Sequence, residues 1–404
     1  MLNKNNEREL AYVVKVGKIH EIDGYDRVEF AEVNGWGCIV PKGAFKEGDP
    51  GIYFEIDSLC PQVEPFLFLA ARKFKVKTQK MCKHISQGLL MAAADFGWTI
   101  GESSIEGEVV IIDSDGVCHN TTDESKFLTQ KLGITYYDPE DVKRKSMPPV
   151  DEYKRMQDRY PKIFRKPLVK KMMKFKLGRK ILLKLYGKKK SGWPAWVHKT
   201  DEERVQNMPY ILEDKQPWIA TEKIDGSSTT FTMKRGKLGA NEFYICSRNV
   251  VFDTPKKEKL CYYDSNIYTE MAKKYDVKNV LESLLKELKC DWVTIQGETF
   301  GAGVQKRDYG MEGHDFRAFN LITSNAGRFN SVEAEKILAK YGIKWVPIID
   351  ENFILPDTIE ELLDYATGTS AIDGGMREGI VFRTHDGVKS FKAVSNEFLL
   401  KYHG

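Results

Sequence analysis

"TEKIDGSSTTF", residues 221–231, sets Lys223 two positions before an Asp-Gly pair inside a run of β-forming residues. Thr, Ser and Phe favour extended backbone, and Asp225-Gly226 supplies a turn between two strand-like pieces. An ammonium at such a strand end is either an ordinary surface charge or a group with chemistry to perform. A K-x-D-G match alone is weak, so the rest of the chain has to decide between the two.

Downstream of this stretch the pattern is mixed. Val280, Leu281, Leu284, Leu285 and Leu288 recur at helical spacing, and "NSVEAEKILAKYG" (330–342) opens on an Asn cap and closes on Gly342. Thr358 and Glu361 form a capping-box pattern ahead of "LLDYATG". Strand-like runs such as "WVTIQGETF" (292–300) and "FRAFNLI" (316–322) lie between the helices, which predicts an α+β domain. Upstream, "RVEFAEVNGWGCIV" (27–40) alternates apolar and polar residues on either side of Asn34-Gly35, a hairpin-turn dipeptide. "GIYFEIDSL" (51–59) reads as a further strand, and the many short strands predict a small all-β, OB-like barrel.

The 404 residues suffice for two compact domains and a linker. We expect residues 1–115 to form the OB-like domain, 116–195 a basic linker or helical insertion, and 196–404 the α+β domain. With 42% hydrophobic and 30% charged residues the composition is that of a globular protein, and runs such as "GLLMAAA" (88–94) are too short to cross a bilayer. The N-terminus has no apolar stretch behind its charges, which predicts a cytoplasmic protein without a membrane partner. Seven scattered cysteines without a C-x-x-C pair argue for reduced thiols, and "CKH" (82–84) and "CH" (118–119) lack zinc-ligand spacing. The net charge of +4 is uneven: residues 162–190 hold thirteen Lys or Arg and no Asp or Glu. That run reads equally as a solvated linker or as a surface that tracks phosphates.

After K-x-D-G, five further stretches follow in order: "CSRN" (246–249), "QGETFG" (296–301), "FRAFNLI", "EGIVFR" (378–383) and "SFKAVSNEFLLKY" (390–402). The set resembles the covalent nucleotidyltransferase superfamily of polynucleotide ligases and capping enzymes, most closely ATP-dependent RNA ligases with an N-terminal OB domain. "YDRVEF", "KGAFKEGD", "YFEIDS", "SQGLL" and "KTDEERVQN" (199–207) extend the resemblance over nearly the whole chain, with 162–190 the part least covered. It implies an OB-like barrel followed by an α+β nucleotidyltransferase domain of ATP-grasp-like ligase type. Only twelve residues follow Lys392, which leaves no room for the trailing OB domain of DNA ligases and capping enzymes.

The resemblance implies an ATP-dependent RNA ligase that seals 5′-phosphate and 3′-hydroxyl ends, in nicked duplexes with RNA at the 3′-hydroxyl. A DNA-joining or capping-type enzyme, or an inactive nucleic-acid-binding relative, is the alternative; a monomer is expected. Lys223 would attack the α-phosphorus of ATP and carry AMP. Its ammonium, with an ordinary pKa of about 10.4, must first lose a proton, and Lys392 with Mg²⁺ or Mn²⁺ would lower that pKa. By the same resemblance Asp225, Glu298 and Glu378 serve the metal through bound water, with Asp225, Glu298, Glu378 and Lys392 also catalytic. Glu222, Arg204, Arg248, Glu298, Phe319, Glu378 and Lys392 would contact the nucleotide: Glu222 at the adenine edge, Phe319 stacked on the ring, Glu298 also at the ribose, and Arg204 and Arg248 at phosphates.

Two positions depart from the family pattern. Asn320 stands where aspartate is frequent, and Ser390 where a Lys-x-Lys pair would have its first lysine, which puts the phosphate contacts in question. The last hairpin also poses a register problem. A two-residue loop at Asp386-Gly387 pairs Val381 with Lys392, whereas a three-residue loop pairs Ile380 with Lys392 and puts Glu378 and Lys392 on one face. If both serve one site, the three-residue loop is expected.

Overall fold

The computed structural model describes residues 8–102, 109–120, 127–137, 161–186, 193–236, 240–253 and 266–403. Residues 138–196 form one compact unit, and 1–137 together with 197–404 form the other.

In the first part of the larger unit, Pro50–Phe54 lies between Ala11–Lys15 and Leu89–Met91, and Val28–Val33 between Ile19–Glu21 and Trp36–Pro41. Every pairing is antiparallel. Shorter ladders join Thr99–Glu102, Val109–Ile112 and Cys118–Asn120, and Gln79–Met81 with His84–Ser86. The expected barrel is corrected in one respect: among the described residues these are separate ladders of two or three strands, with no closed ring. Nor does 51–59 run as one strand. It stops at Phe54 because Glu55 turns inward to Arg8 (3.1 Å) and Asp57 adopts φ 66°, after which Ser58–Leu59 pairs with Thr135–Tyr136.

Asn34 and Gly35, at φ 47° and 74°, close the two-residue hairpin between Val33 and Trp36. The tip of this hairpin packs on the second half of the chain. A Cβ on Gly35 would stand 2.4 Å from Ile359 Cγ2, and the Gly35 carbonyl accepts from Gln206 Nε2 at 3.4 Å. Gly35→Ala should therefore add a left-handed backbone penalty to a steric clash, at a combined cost of about 2 kcal/mol or more. Denaturant unfolding of wild type and variant measures this, and unchanged midpoints would show that the tip does not bear on the helix.

The second half is built on two antiparallel sheets. One has the order Val251–Asp253, Glu242–Ser247, Ser227–Lys234, Trp292–Gly301, His314–Thr323, Gly327–Arg328; the other has Ile348–Phe353, Trp218–Lys223, Gly379–Thr384, Ser390–Val394. Residues 224–226 link them, so the lysine motif sits where the chain passes from one sheet to the other. Val277–Glu287 buries Val280, Leu281, Leu284 and Leu285 against the larger sheet, with Leu288 as its cap. Asn330 Oδ1 caps Ser331–Ala339 by accepting from Val332 N (2.8 Å), and Thr358 Oγ1 caps Ile359–Ala366 by accepting from Glu361 N (3.2 Å).

The smaller unit contains helices Pro161–Phe164, Pro167–Met173 and Lys176–Tyr186 around a core of Phe164 and Leu182. Lys188, Lys189 and Lys190 of the basic run lie outside the described residues. Among the described residues no helix is long and apolar enough to cross a membrane.

Candidate active site

Strand alternation builds the site. Trp218, Ala220, Ile380, Phe382, Phe391 and Ala393 project from the four-stranded sheet into one buried core. The opposite face presents Thr221, Lys223, Val381, Arg383 and Lys392, and all five line a cavity of about 390 Å³. Glu222, Arg248, Glu298 and Phe319 line the same cavity, the last two from neighbouring strands of the larger sheet. Asp225, Glu378 and Arg204 stand just outside its lining.

The hairpin register differs from expectation. Val381 pairs with Lys392 and Arg383 with Ser390, and Thr384 N donates to Lys389 O at 3.1 Å, so the loop is His385–Val388. Asp386 Oδ1 fastens that loop by accepting from Val388 N (2.9 Å), and Gly387 takes φ 69°. The reason is burial. Phe382 and Phe391 are both fully buried, and a slip of one residue would carry Phe391 to the cavity face. Glu378 still reaches Lys223, because it precedes the first residue of its strand and Lys223 is the last of its own, so both side chains lie at the sheet's end.

Lys223 Nζ lies 2.7 Å from Glu378 Oε1. Burial pushes the ammonium toward deprotonation, but the charges of Glu378, Glu298 and Asp225 outweigh it and hold the Lys223 pKa above its ordinary value. This reverses the expectation that neighbouring cations depress Lys223. The depressed lysine is Lys392, brought down to about 8 by burial and then by Lys223 and Arg204. Burial pushes Glu298 up to about 8, with Glu378 and Asp225 adding to the rise against Lys223 and Arg248. Asp225 is raised as well, by burial and Glu378; His403 Nε2 at 3.2 Å from its Oδ1 opposes the rise. Its backbone N donates to Tyr309 Oη at 2.7 Å.

Glu222 is buried and accepts from Ala371 N (2.8 Å) and from the Ser370 hydroxyl. Phe319 is half-buried, and with Val346 and Val381 it supplies apolar lining to the cavity. Arg248 is exposed and pairs with Asp201 Oδ2 at 2.7 Å. Arg204 bridges to Lys392 through the backbone but lays its guanidinium over the Trp36 ring, 5.4 Å from the centroid, so it faces the first domain's hairpin. Asn320 points away from the cavity, donating to Gln296 Oε1 at 2.9 Å, while Gln296 Nε2 donates to His198 O at 2.8 Å. That departure from the family pattern therefore belongs to a buried amide network. Ser390 donates to Glu202, whose other oxygen accepts from Arg383 Nη2 at 2.9 Å. Sequence reading missed Arg383 and Glu202; with the correct register, alternation from Lys392 would have found the arginine.

Oδ2 of Asp225 and Oε2 of Glu378 are buried without a hydrogen-bond partner. Crowded carboxylates with free oxygens fit a divalent cation. Among the described residues no group of three or more His, Cys, Asp or Glu closes to direct metal-binding spacing. The "CKH" and "CH" stretches form no such group either; Cys82 and Lys83 are hairpin-turn residues with φ 52° and 63°.

The chain is similar to known RNA ligases. Residues 216–403 match the RNA ligase family model, and residues 10–93 match an OB-fold domain model. Among solved structures, an RNA ligase from Naegleria gruberi with pyrophosphate aligns at a TM-score of 0.62 and 26% identity, covering 98% of this chain and 99% of that one. A point mutant of that ligase with ATP and manganese aligns at 0.61 and 25%, covering 98% and 100%. Another mutant, with AMP and manganese, aligns at 0.62 and 26%, covering 98% and 99%. No curated protein sequence matches the chain. Fold and site together define a nucleotidyltransferase of the polynucleotide ligase class. Within that class, residues 216–403 are similar to RNA ligase domains and residues 10–93 to an OB-fold domain.

Proposed function

We propose that this ligase uses ATP and Lys223 to join RNA 5′-phosphate and 3′-hydroxyl ends in nicked duplexes, acting as a cytoplasmic monomer with residues 196–404 as the adenylylating domain. The observation that carries the reading is the position of Lys223, lining a cavity with Glu298, Phe319 and Lys392 and 2.7 Å from the carboxylate of Glu378. The neighbouring ligase structures with ATP, AMP and pyrophosphate support it. Unpaired thiols at Cys38, Cys60, Cys82, Cys118, Cys246 and Cys290 suit a reducing compartment.

In the first step Lys223 Nζ, having lost its proton to solvent, attacks the α-phosphorus as the neutral amine; a P–N bond forms as the P–O bond to pyrophosphate breaks. Phe319 stacks on adenine, Glu222 and the groups it holds border the ring, and Glu298 reaches the ribose. Arg248 and Lys392 take phosphate oxygens. Arg204, turned to Trp36, supports Lys392 from behind. A divalent cation, held through water by Asp225, Glu298 and Glu378, would supply charge neutralisation. A 5′-phosphate oxygen of the RNA then takes AMP from Lys223, breaking the P–N bond. Finally the 3′-hydroxyl oxygen attacks the 5′-phosphorus and AMP leaves.

Incubation with α-labelled ATP and Mg²⁺ or Mn²⁺, followed by separate RNA and DNA nicks, tests the reading. Labelled protein that passes its AMP to RNA nicks is expected; transfer only to DNA would turn it into the DNA-joining alternative, and absence of label would leave the inactive relative. The pH dependence has a defined sign. Glu378, Glu298 and Asp225 raise the Lys223 pKa against burial, and the reactive form is the neutral amine, so the rate must rise with pH. Glu298, up at about 8, loses its proton over the same interval. Initial labelling rates should climb by up to about tenfold per unit from about pH 7 to about pH 9; a flat or falling profile contradicts the assignment.

A further inference from the structure

Asp225 sits in the short link 224–226 between the two sheets, where no strand pairing reaches its side chain. The backbone there is well fixed. A Cβ on Gly226 would stand 2.4 Å from Thr299 O, and Tyr309 Oη accepts from Asp225 N at 2.7 Å. The carboxylate is another matter, because Glu378 and Glu298 are close enough to repel it. If one of its oxygens is to serve a cation, the other has to be held from the far side.

Residues 396–403 supply that hold. His403 Nε2 stands 3.2 Å from Asp225 Oδ1, the two side chains being 35% and 6% exposed, and Oδ2 is left buried without a hydrogen-bond partner. The same segment also reaches the backbone of Asp225. Phe398 is fully buried, and the Arg307 guanidinium lies 6.0 Å from its ring centroid and 3.9 Å from that of Tyr309, the residue that holds Asp225 N. On its other side the segment is tied to the first domain: Lys80 Nζ, on the strand Gln79–Met81, donates to Leu400 O at 3.3 Å. None of Lys80, Arg307, Phe398 and His403 lines the cavity, so any effect of the segment on the reaction passes through Asp225 and not through the nucleotide.

Resting on the ligase reading above, we infer that His403 is a positioning residue of the reaction: it holds Oδ1 of Asp225 and so leaves Oδ2 for the water shell of the divalent cation. Lys80 steadies the same segment from the first domain. An outer partner of this kind restricts a carboxylate before the cation arrives, and its removal weakens cation binding and the chemical step together.

The test uses the full chain with His403→Ala, His403→Gln and Lys80→Met, all at one pH. His403→Gln keeps a nitrogen donor, and Lys80→Met keeps the apolar stem without the donor. Two readouts are taken for each. One is melting temperature against Mn²⁺ concentration in the presence of an ATP analogue bridged by a methylene group between the α- and β-phosphates; the other is the maximal rate of AMP labelling and its KM for ATP. His403→Ala should need about tenfold or more Mn²⁺ for the same rise in melting temperature and label about tenfold or more slowly, with KM for ATP within about twofold of wild type. His403→Gln should recover most of both losses. Lys80→Met should show a loss of about threefold in the same two readouts, as for one hydrogen bond; no change there overturns the role of the first domain. An unchanged Mn²⁺ dependence in His403→Ala, no Mn²⁺-dependent rise in wild type, or equal losses in both His403 variants with KM for ATP rising in parallel overturns the inference and leaves the segment as packing around Phe398. Failure of wild type to label with ATP would instead sink the ligase reading itself.

Discussion

Lys223→Ala is expected to remove AMP labelling of the protein altogether, a loss of more than about a thousandfold, because no other group can form the covalent bond on which both later steps depend. The backbone pairing of Lys223 with Gly379 does not involve its side chain, so the fold should survive. The change does leave Glu378 beside Glu298 and Asp225 without its cation, and protonation of one carboxyl would relieve that crowding. Lys223→Arg separates the charge from the nucleophile. A guanidinium keeps a positive partner for Glu378 but supplies no free amine, so it should be as inactive as alanine while melting closer to wild type. Labelled nicks already carrying AMP on the 5′-phosphate provide the control: both variants should still seal them to a measurable extent, since that step does not use the lysine as nucleophile. Undiminished labelling of either variant would remove Lys223 from the mechanism.

Much of the fold was legible in the sequence because its signals are local. Asn34-Gly35 tolerates positive φ and gives the tight hairpin, and Asn330 and Thr358 cap the helices that their positions announce. The last hairpin was not legible. His385-Asp386-Gly387 is compatible with more than one loop, and what selects the register is the burial of Phe382 and Phe391 against Trp218, a tertiary fact. The error propagated: the wrong register put Glu378 and Lys392 on one face and hid Arg383, whereas the true one groups Lys223, Arg383 and Lys392. Motif spacing likewise located Lys223 and Glu378 but not their ion pair, so the direction of the lysine's pKa came out reversed. Asn320 looked like a lost phosphate contact until its partner Gln296 was seen.

Neutralising the basic helices should separate the two halves of the reaction. Arg165, Lys166, Lys170, Lys171, Lys174, Lys176, Lys180 and Lys184 are exposed, and residues 162–190 contain no Asp or Glu to pair with them. In Lys176–Tyr186, Lys176, Lys180 and Lys184 fall on one stripe while Leu182 turns inward, an arrangement of like charges four residues apart that weakens the helix by a few tenths of a kcal/mol per pair. Such a stripe is stabilised when anions lie against it. ATP is small and is served by the cavity, so replacing Lys170, Lys171, Lys174, Lys180 and Lys184 with Gln should leave AMP labelling within about twofold of wild type. RNA is a polyanion, and if these five cations each neutralise a phosphate, binding of a nicked duplex should lose a salt slope of about 4 to 5 in log affinity against log salt. Nick affinity measured across a salt series for wild type and variant gives the answer. A flatter line for the variant, converging with wild type at high salt, identifies phosphate contacts. Parallel lines, even with weaker binding throughout, would mean that the helices act on the nick only through the fold.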